Sequence, residues 1–197
     1  MDFEGINFDD VIADAEKKKK KKKKKNSGEK GKRGERNLAK VLKERFGFEF
    51  TRTVGSGNRW GQVSFLPQHA TDTYSGDIVC PENFKFVIEC KDGYNDLDLH
   101  FCVGSNKGYA KIDSWIEQSI DEAKRSERLP IITWKKDYKP WVALVRKIDL
   151  PMRRKPYLVI WKSFHMIYND WAVLPLTALL ELPDEFWFKE AKGGEES

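Results

Sequence analysis

No apolar run in this chain approaches the roughly 20 residues that a membrane-spanning helix needs, and the N-terminus shows no basic-then-apolar leader. Both absences predict a soluble intracellular protein, cytoplasmic or nucleoid-associated, with no membrane partner. Cysteine is scarce. Cys80, Cys90 and Cys102 show no C-x-x-C spacing, and their odd number argues against a disulfide framework. Cys80 and Cys90 read as reduced, small strand fillers. His69, His100 and His165 have no mutual spacing that suggests a zinc site.

Net positive charge is also small once it is divided along the chain. Asp2, Glu4, Asp9, Asp10, Asp14 and Glu16 stand in the first 16 residues without a basic partner, and Lys17 to Lys25 is an unbroken run of nine. Of the net charge of +5, only +2 is therefore left for residues 26–197. A uniformly basic nucleic-acid binder is excluded, and any DNA-facing surface on the body must be a local patch. The lysine run reads as an arm for DNA, a targeting signal, a contact for an acidic partner, or a solvated linker. Residues 1–30 read as a flexible acidic head and poly-lysine tail. Residues 31–197 form a single domain, with a C-terminal extension from about residue 146. Their apolar and aromatic content suffices for one core.

Hydrophobic periodicity orders the rest. Asn26 to Gly31 reads as a hinge, and from Lys32 the spacing of Leu38, Val41, Leu42 and Phe46 predicts a helix that Gly47 stops. Phe48 to Val54 alternates as a first strand. Arg59 to Ser75 reads as a long loop carrying Trp60, His69 and Tyr74, which would stack against opened DNA or form a small local core. Asp77 to Cys80 and Phe84 to Lys91 are two strands joined at Pro81-Glu82-Asn83, and a hairpin between them is expected. Ile112, Trp115, Ile116, Ser119, Ile120 and Ala123 predict a second amphipathic helix ended by Pro130. Strands follow at Pro130 to Trp134, Trp141 to Val145, Tyr157 to Trp161 and Trp171 to Leu174, with a short helix over Leu176 to Leu182. The order predicts an α/β (α+β) fold with a central mixed sheet flanked by helices.

Within this frame Glu89 and Lys91 lie two apart and so share one face of their strand, with Asp77 close enough on the preceding strand to join them. Two carboxylates and an ammonium in one place suit metal-dependent phosphodiester hydrolysis: hard oxygen ligands for a divalent cation, and a cation for the nucleophile or the developing charge. Strands also leave the core through charged residues, so the triplet alone reads first as a solvated strand end. Glu35 falls on the core-facing stripe of the first helix, where it either pairs with an arginine or reaches the same site.

In this order Glu35, Asp77 and Glu89-Cys90-Lys91 resemble the PD-(D/E)xK nuclease superfamily. The run Lys30-Gly31-Lys32-Arg33-Gly34-Glu35-Arg36-Asn37-Leu38, followed by Arg52-Thr53-Val54-Gly55-Ser56-Gly57, is similar to the opening of the archaeal-type Holliday junction resolvases. The segment from Gly57 to Asp77 is longer than in those proteins, and Gly76 stands where proline is frequent. The resemblance implies a restriction-endonuclease-like core and a homodimer acting on branched or duplex DNA. It implies Mg²⁺, with Mn²⁺ as a substitute, held by Asp77, Glu89, the main-chain carbonyl of Cys90, and Glu35. Lys91 would serve the attacking water, and Ser56 would approach a phosphate closely. Lys32, Arg33, Arg36, Arg52 and Arg59 are candidates for backbone contacts with DNA. Gln118 either positions a water from the second helix or is an exposed helix residue. The expected activity is that of a Holliday junction resolvase. A restriction-like or repair nuclease on duplex or flap DNA, and a non-catalytic DNA-binding module, are the alternatives.

Overall fold

A computed structural model describes residues 27–53, 75–95, 97, 106–151 and 166–190. Ser56, Arg59, Trp60, His69, Tyr74, His100, Cys102, His165, the strand expected at Tyr157 to Trp161, and the acidic head and lysine run lie outside the described residues.

Helix α1 covers Ser27–Phe46. It starts earlier than expected, and Ser27 to Gly31 of the supposed hinge belong to its first turns. Gly31 lies there in open space, so the glycine that suggested a hinge is tolerated inside the helix. Leu38, Leu42 and Phe46 form the buried face, and Gly47 ends the helix at φ +73°.

Strand β1 (Thr51–Arg52) pairs antiparallel with β2 (Ile78–Val79). Strand β3 (Phe86–Asp92) runs parallel to β4 (Leu129–Lys135), in register from Phe86 opposite Leu129 to Asp92 opposite Lys135. Their crossover contains α2 (Asn106–Arg125). β5 (Val142–Arg146), β6 (Met166–Tyr168) and β7 (Trp171–Pro175) complete a mixed five-stranded sheet in the order β3-β4-β5-β7-β6. The helices α3 (Leu176–Leu180) and α4 (Asp184–Trp187) follow. The expected mixed sheet flanked by helices is thus present. Residues 166–175 are built into it, because β7 lies between β5 and β6.

The hairpin expected between the two strands around Pro81 is reduced to one backbone bond, from the Asp77 N–H to the Ile88 carbonyl at 2.9 Å. Competition for backbone groups explains the difference. β2 is taken by β1, while Phe84 bridges to Phe188 and the Lys85 N–H bonds the Trp187 carbonyl at 2.7 Å. The turn itself forms, with the Phe84 N–H on the Pro81 carbonyl at 3.0 Å. The second helix stops at Arg125, ahead of Pro130. Glu127 takes φ +50°, and the Arg128 N–H returns to the Ala123 carbonyl at 3.1 Å, a left-handed cap that closes the helix before β4 begins.

Strand alternation sorts the side chains onto two faces. Phe86, Ile88, Cys90, Ile131, Ala143 and Val145 meet α1. Ile132 and Leu144 meet Ile112 and Trp115 of α2. Phe84 stacks on Trp187 with ring centroids 5.8 Å apart, so α4 closes the α1 side through an aromatic cluster. Each large side chain fully buried here contributes about 1.5–3 kcal/mol of transfer free energy.

Candidate active site

β3 is an edge strand of the main sheet, and the chain before β2 crosses its open edge. Gly76 makes the crossing possible. Its φ is +74°, and a Cβ there would lie 2.7 Å from the Ile88 carbonyl oxygen. Proline, with φ fixed near −65°, cannot adopt this conformation, so the glycine before Asp77 is demanded by the local path. Asp77 is then clamped to its neighbours. Its N–H bonds Ile88, its carbonyl accepts the Thr53 N–H at 2.9 Å, and its Oδ2 accepts the Cys90 N–H at 2.8 Å.

Glu89 and Lys91 project from the face opposite Cys90, toward α2. Glu89 is 4% exposed, and its Oε1 accepts a hydrogen bond from Lys91 Nζ. Lys91 Nζ also donates to Gln118 Oε1 at 3.0 Å, and Gln118 Nε2 donates to Glu122 Oε1 at 3.1 Å. Glu122 is 8% exposed and its carboxyl meets that of Glu89. The four side chains close a ring between β3 and α2. Gln118 is an exposed helix residue, as one of its two expected readings had it, and from that position it links Lys91 to Glu122.

Glu35 approaches from α1. It is 8% exposed and paired with Arg52 of β1, so the arginine-pairing expectation is met. Its charge is nonetheless felt at Asp77. Gly34, one residue earlier, lets α1 come this close: a Cβ there would lie 2.5 Å from the Cβ of Asp92. Lys32, Arg33 and Arg36 lie exposed on the same helix. Ser56 and Arg59 are outside the described residues.

The electrostatics follow from burial of several carboxylates with few cations. Burial first, then the charges of Glu89 and Glu35, push Asp77 up to about 8 against the pull of the Cys90 N–H and Lys91. Burial pushes Glu89 to about 7, with Lys91 lowering it and Glu122 raising it. Glu122 is raised, again chiefly by burial. Burial works against the Lys91 ammonium, but Glu89 and Asp77 hold it above the ordinary lysine value. Glu89 Oε2 and Glu122 Oε2 are buried with no hydrogen-bond donor. Such orphaned oxygens are costly unless a proton or a cation meets them. The donor set suits a hard divalent ion, although among the described residues no group of three or more His, Cys, Asp or Glu side chains is gathered as a cage.

Glu122 is the site residue that sequence reasoning missed. The signal was present: Ile112, Trp115, Ser119 and Glu122 stand at helical spacing on the buried stripe of α2, as Glu35 does on α1.

No helix among the described residues is long and apolar enough to cross a membrane. No solved structure matches the chain. The chain is 30% identical over 145 residues to Protein D14 of Escherichia phage T5, covering 72% of this chain and 81% of that protein. Residues 26–183 match the family model described as "Phage putative PDDEXK endonuclease", a span that contains every member of the Glu35, Asp77, Glu89, Lys91 and Glu122 group. The chain belongs to this phage PDDEXK endonuclease family.

Proposed function

We propose that this chain is a metal-dependent, structure-selective DNA endonuclease that cuts branched DNA as a Holliday junction resolvase. The observation that carries the nuclease reading is the convergence of Asp77, Glu89 and Lys91 on the open edge of β3, with the Cys90 N–H fixing the Asp77 carboxylate. Asp77 and Glu89, with the main-chain carbonyl of Cys90, would hold Mg²⁺ or Mn²⁺. Glu35, already engaged by Arg52, would act through water. Bound there, the ion would supply Lewis-acid polarisation of the phosphate and a more acidic water.

The chain's own groups account for the remaining work. Lys91 holds a positive charge beside the carboxylates, where it orients the attacking water and offsets charge developing on the phosphate. Gln118 keeps that ammonium aimed, and Glu122 restrains Gln118. Burial of Glu89 excludes competing water from its Lys91 bond. Arg33 and Arg36, exposed on α1, supply backbone contacts that position a duplex without reading bases.

Symmetric cutting of a four-way junction needs two such centres, and this domain offers one, so the working unit is a homodimer. The test is incubation of the full chain with Mg²⁺ and a four-way junction, a flap or a linear duplex. Paired incisions in the junction support the resolvase reading. Cutting confined to the flap or duplex replaces it with a repair or restriction-like nuclease.

A further inference from the structure

The turn that joins β4 to β5 stands at the same end of the sheet as the candidate active site. Lys135 pairs with Asp92 in the parallel register, and the Gly93 N–H bonds the Lys135 carbonyl at 2.9 Å. Three lysines border the turn, and at its tip Tyr138 is 99% exposed with φ +59°. A bulky residue in the left-handed region is uncommon and strained. Nothing in the packing requires a tyrosine there, because its ring is almost wholly in water.

The turn is held firmly. Asp137 accepts from Lys30 Nζ of α1 at 2.7 Å and from Asn95 Nδ2 at 2.7 Å, while its own N–H donates to Asn95 Oδ1 at 2.8 Å. The Lys139 N–H closes the turn on the Lys136 carbonyl at 3.2 Å, and the Lys135 ammonium lies 5.3 Å from the Trp141 ring centroid. Lys30 offsets the one acidic charge of the turn. What remains is a rigid, basic tip that presents an aromatic face.

We propose that this turn is a prong that engages the DNA substrate, with Tyr138 stacking on a base left unpaired or unstacked at a branch and Lys136 and Lys139 on the flanking phosphates. The inference rests on the nuclease reading above and names what that site selects. Phosphate contacts are indifferent to shape, whereas an aromatic face is useful only where a base face is open. The turn thereby favours branched or frayed DNA over intact duplex.

The test uses the full chain carrying Asp77→Asn, so that DNA is bound without being cut. A four-way junction, a duplex with a single-stranded tail and a plain duplex each carry 2-aminopurine. Tyr138→Ala is expected to weaken junction binding roughly 5- to 100-fold and abolish the 2-aminopurine response, with plain duplex affinity unchanged. Tyr138→Phe keeps both. Tyr138→Gly suits the backbone better, so it raises the melting temperature while losing junction affinity, a divergence that a structural role would not give. Loss confined to the junction places the base at the branch, and loss on the tailed duplex as well places it on single strand. Removing Lys136 and Lys139 weakens all three DNAs and lowers the salt slope by about one for each lysine. Wild-type junction binding by Tyr138→Ala and Tyr138→Gly overturns the prong while junction cleavage by the unaltered chain leaves the nuclease reading standing. If the unaltered chain neither binds nor cuts any of the three DNAs, the nuclease reading fails and the prong falls with it.

Discussion

Glu89 of β3 and Glu122 of α2 meet carboxyl to carboxyl, each with an Oε2 that no donor reaches. Two buried carboxylates in contact repel unless a proton or cation lies between them. Glu122→Gln replaces one with an amide that can donate to Glu89. The expected result for metal-free protein is a gain of about 1–2 kcal/mol in urea unfolding at pH 8. The gain shrinks at pH 5, where a proton already relieves the contact. A loss of stability at pH 8 would contradict the relationship.

The same burial makes metal-free stability fall as pH rises. Asp77, at about 8, and Glu89, at about 7, lie above their ordinary values of 3.8 and 4.5, so the folded protein holds protons that the unfolded chain releases. Their contribution is full below about pH 4 and is lost as pH climbs through 7 to 8, at up to about 1.4 kcal/mol per pH unit for each group. Chemical unfolding at pH 5 and pH 8.5 measures it. Asp77→Asn should flatten the slope, and a divalent cation that binds the folded state should offset the loss at pH 8.5.

Gly31 and Gly34 make a matched pair on α1. Alanine gains about 1 kcal/mol over glycine inside a helix. Gly31→Ala meets nothing within 4 Å and should realise most of that gain, whereas Gly34→Ala drives a Cβ into Asp92 and should cost about 1–3 kcal/mol net. Melting curves of the two variants should shift in opposite directions, and Gly34→Ala should also lower activity by moving Glu35 away from Asp77.

Arg52 neutralises Glu35 in a nearly dry setting. Arg52→Met leaves that carboxylate unpaired and should cost about 3 kcal/mol. Arg52→Met combined with Glu35→Gln should recover most of the loss, because no unmatched charge remains. Failure of the double variant to recover would mean that the pair holds α1 and β1 together by geometry rather than charge.

The legible part of the site lay in local periodicity. The period of two put Glu89 and Lys91 on one face, and the helical stripe put Glu35 inward. Asp77 was found by order, yet its route to β3 was misread. A hairpin was the simplest connection, and nothing local announced that β1 and the Phe188 segment would claim the backbone groups of residues 78–85. Glu122 was hidden beside Glu117 and Asp121, where only burial separates one inward carboxylate from a solvated face. In the C-terminal part, β7 was readable as an apolar run, but its place inside the sheet depends on a long-range pairing with β5 that no local spacing encodes.

The central claim is that Asp77, Glu89 and Lys91 form one hydrolytic centre, and its most direct measurement is cleavage of a labelled four-way junction by the full chain and by Asp77→Asn, Glu89→Gln and Lys91→Ala in the presence of Mg²⁺. The account predicts that the unaltered chain cuts, that each variant loses at least about 100-fold in rate, and that all of them still bind the junction within a few-fold of the unaltered chain. Cleavage by Glu89→Gln at the unaltered rate would contradict it.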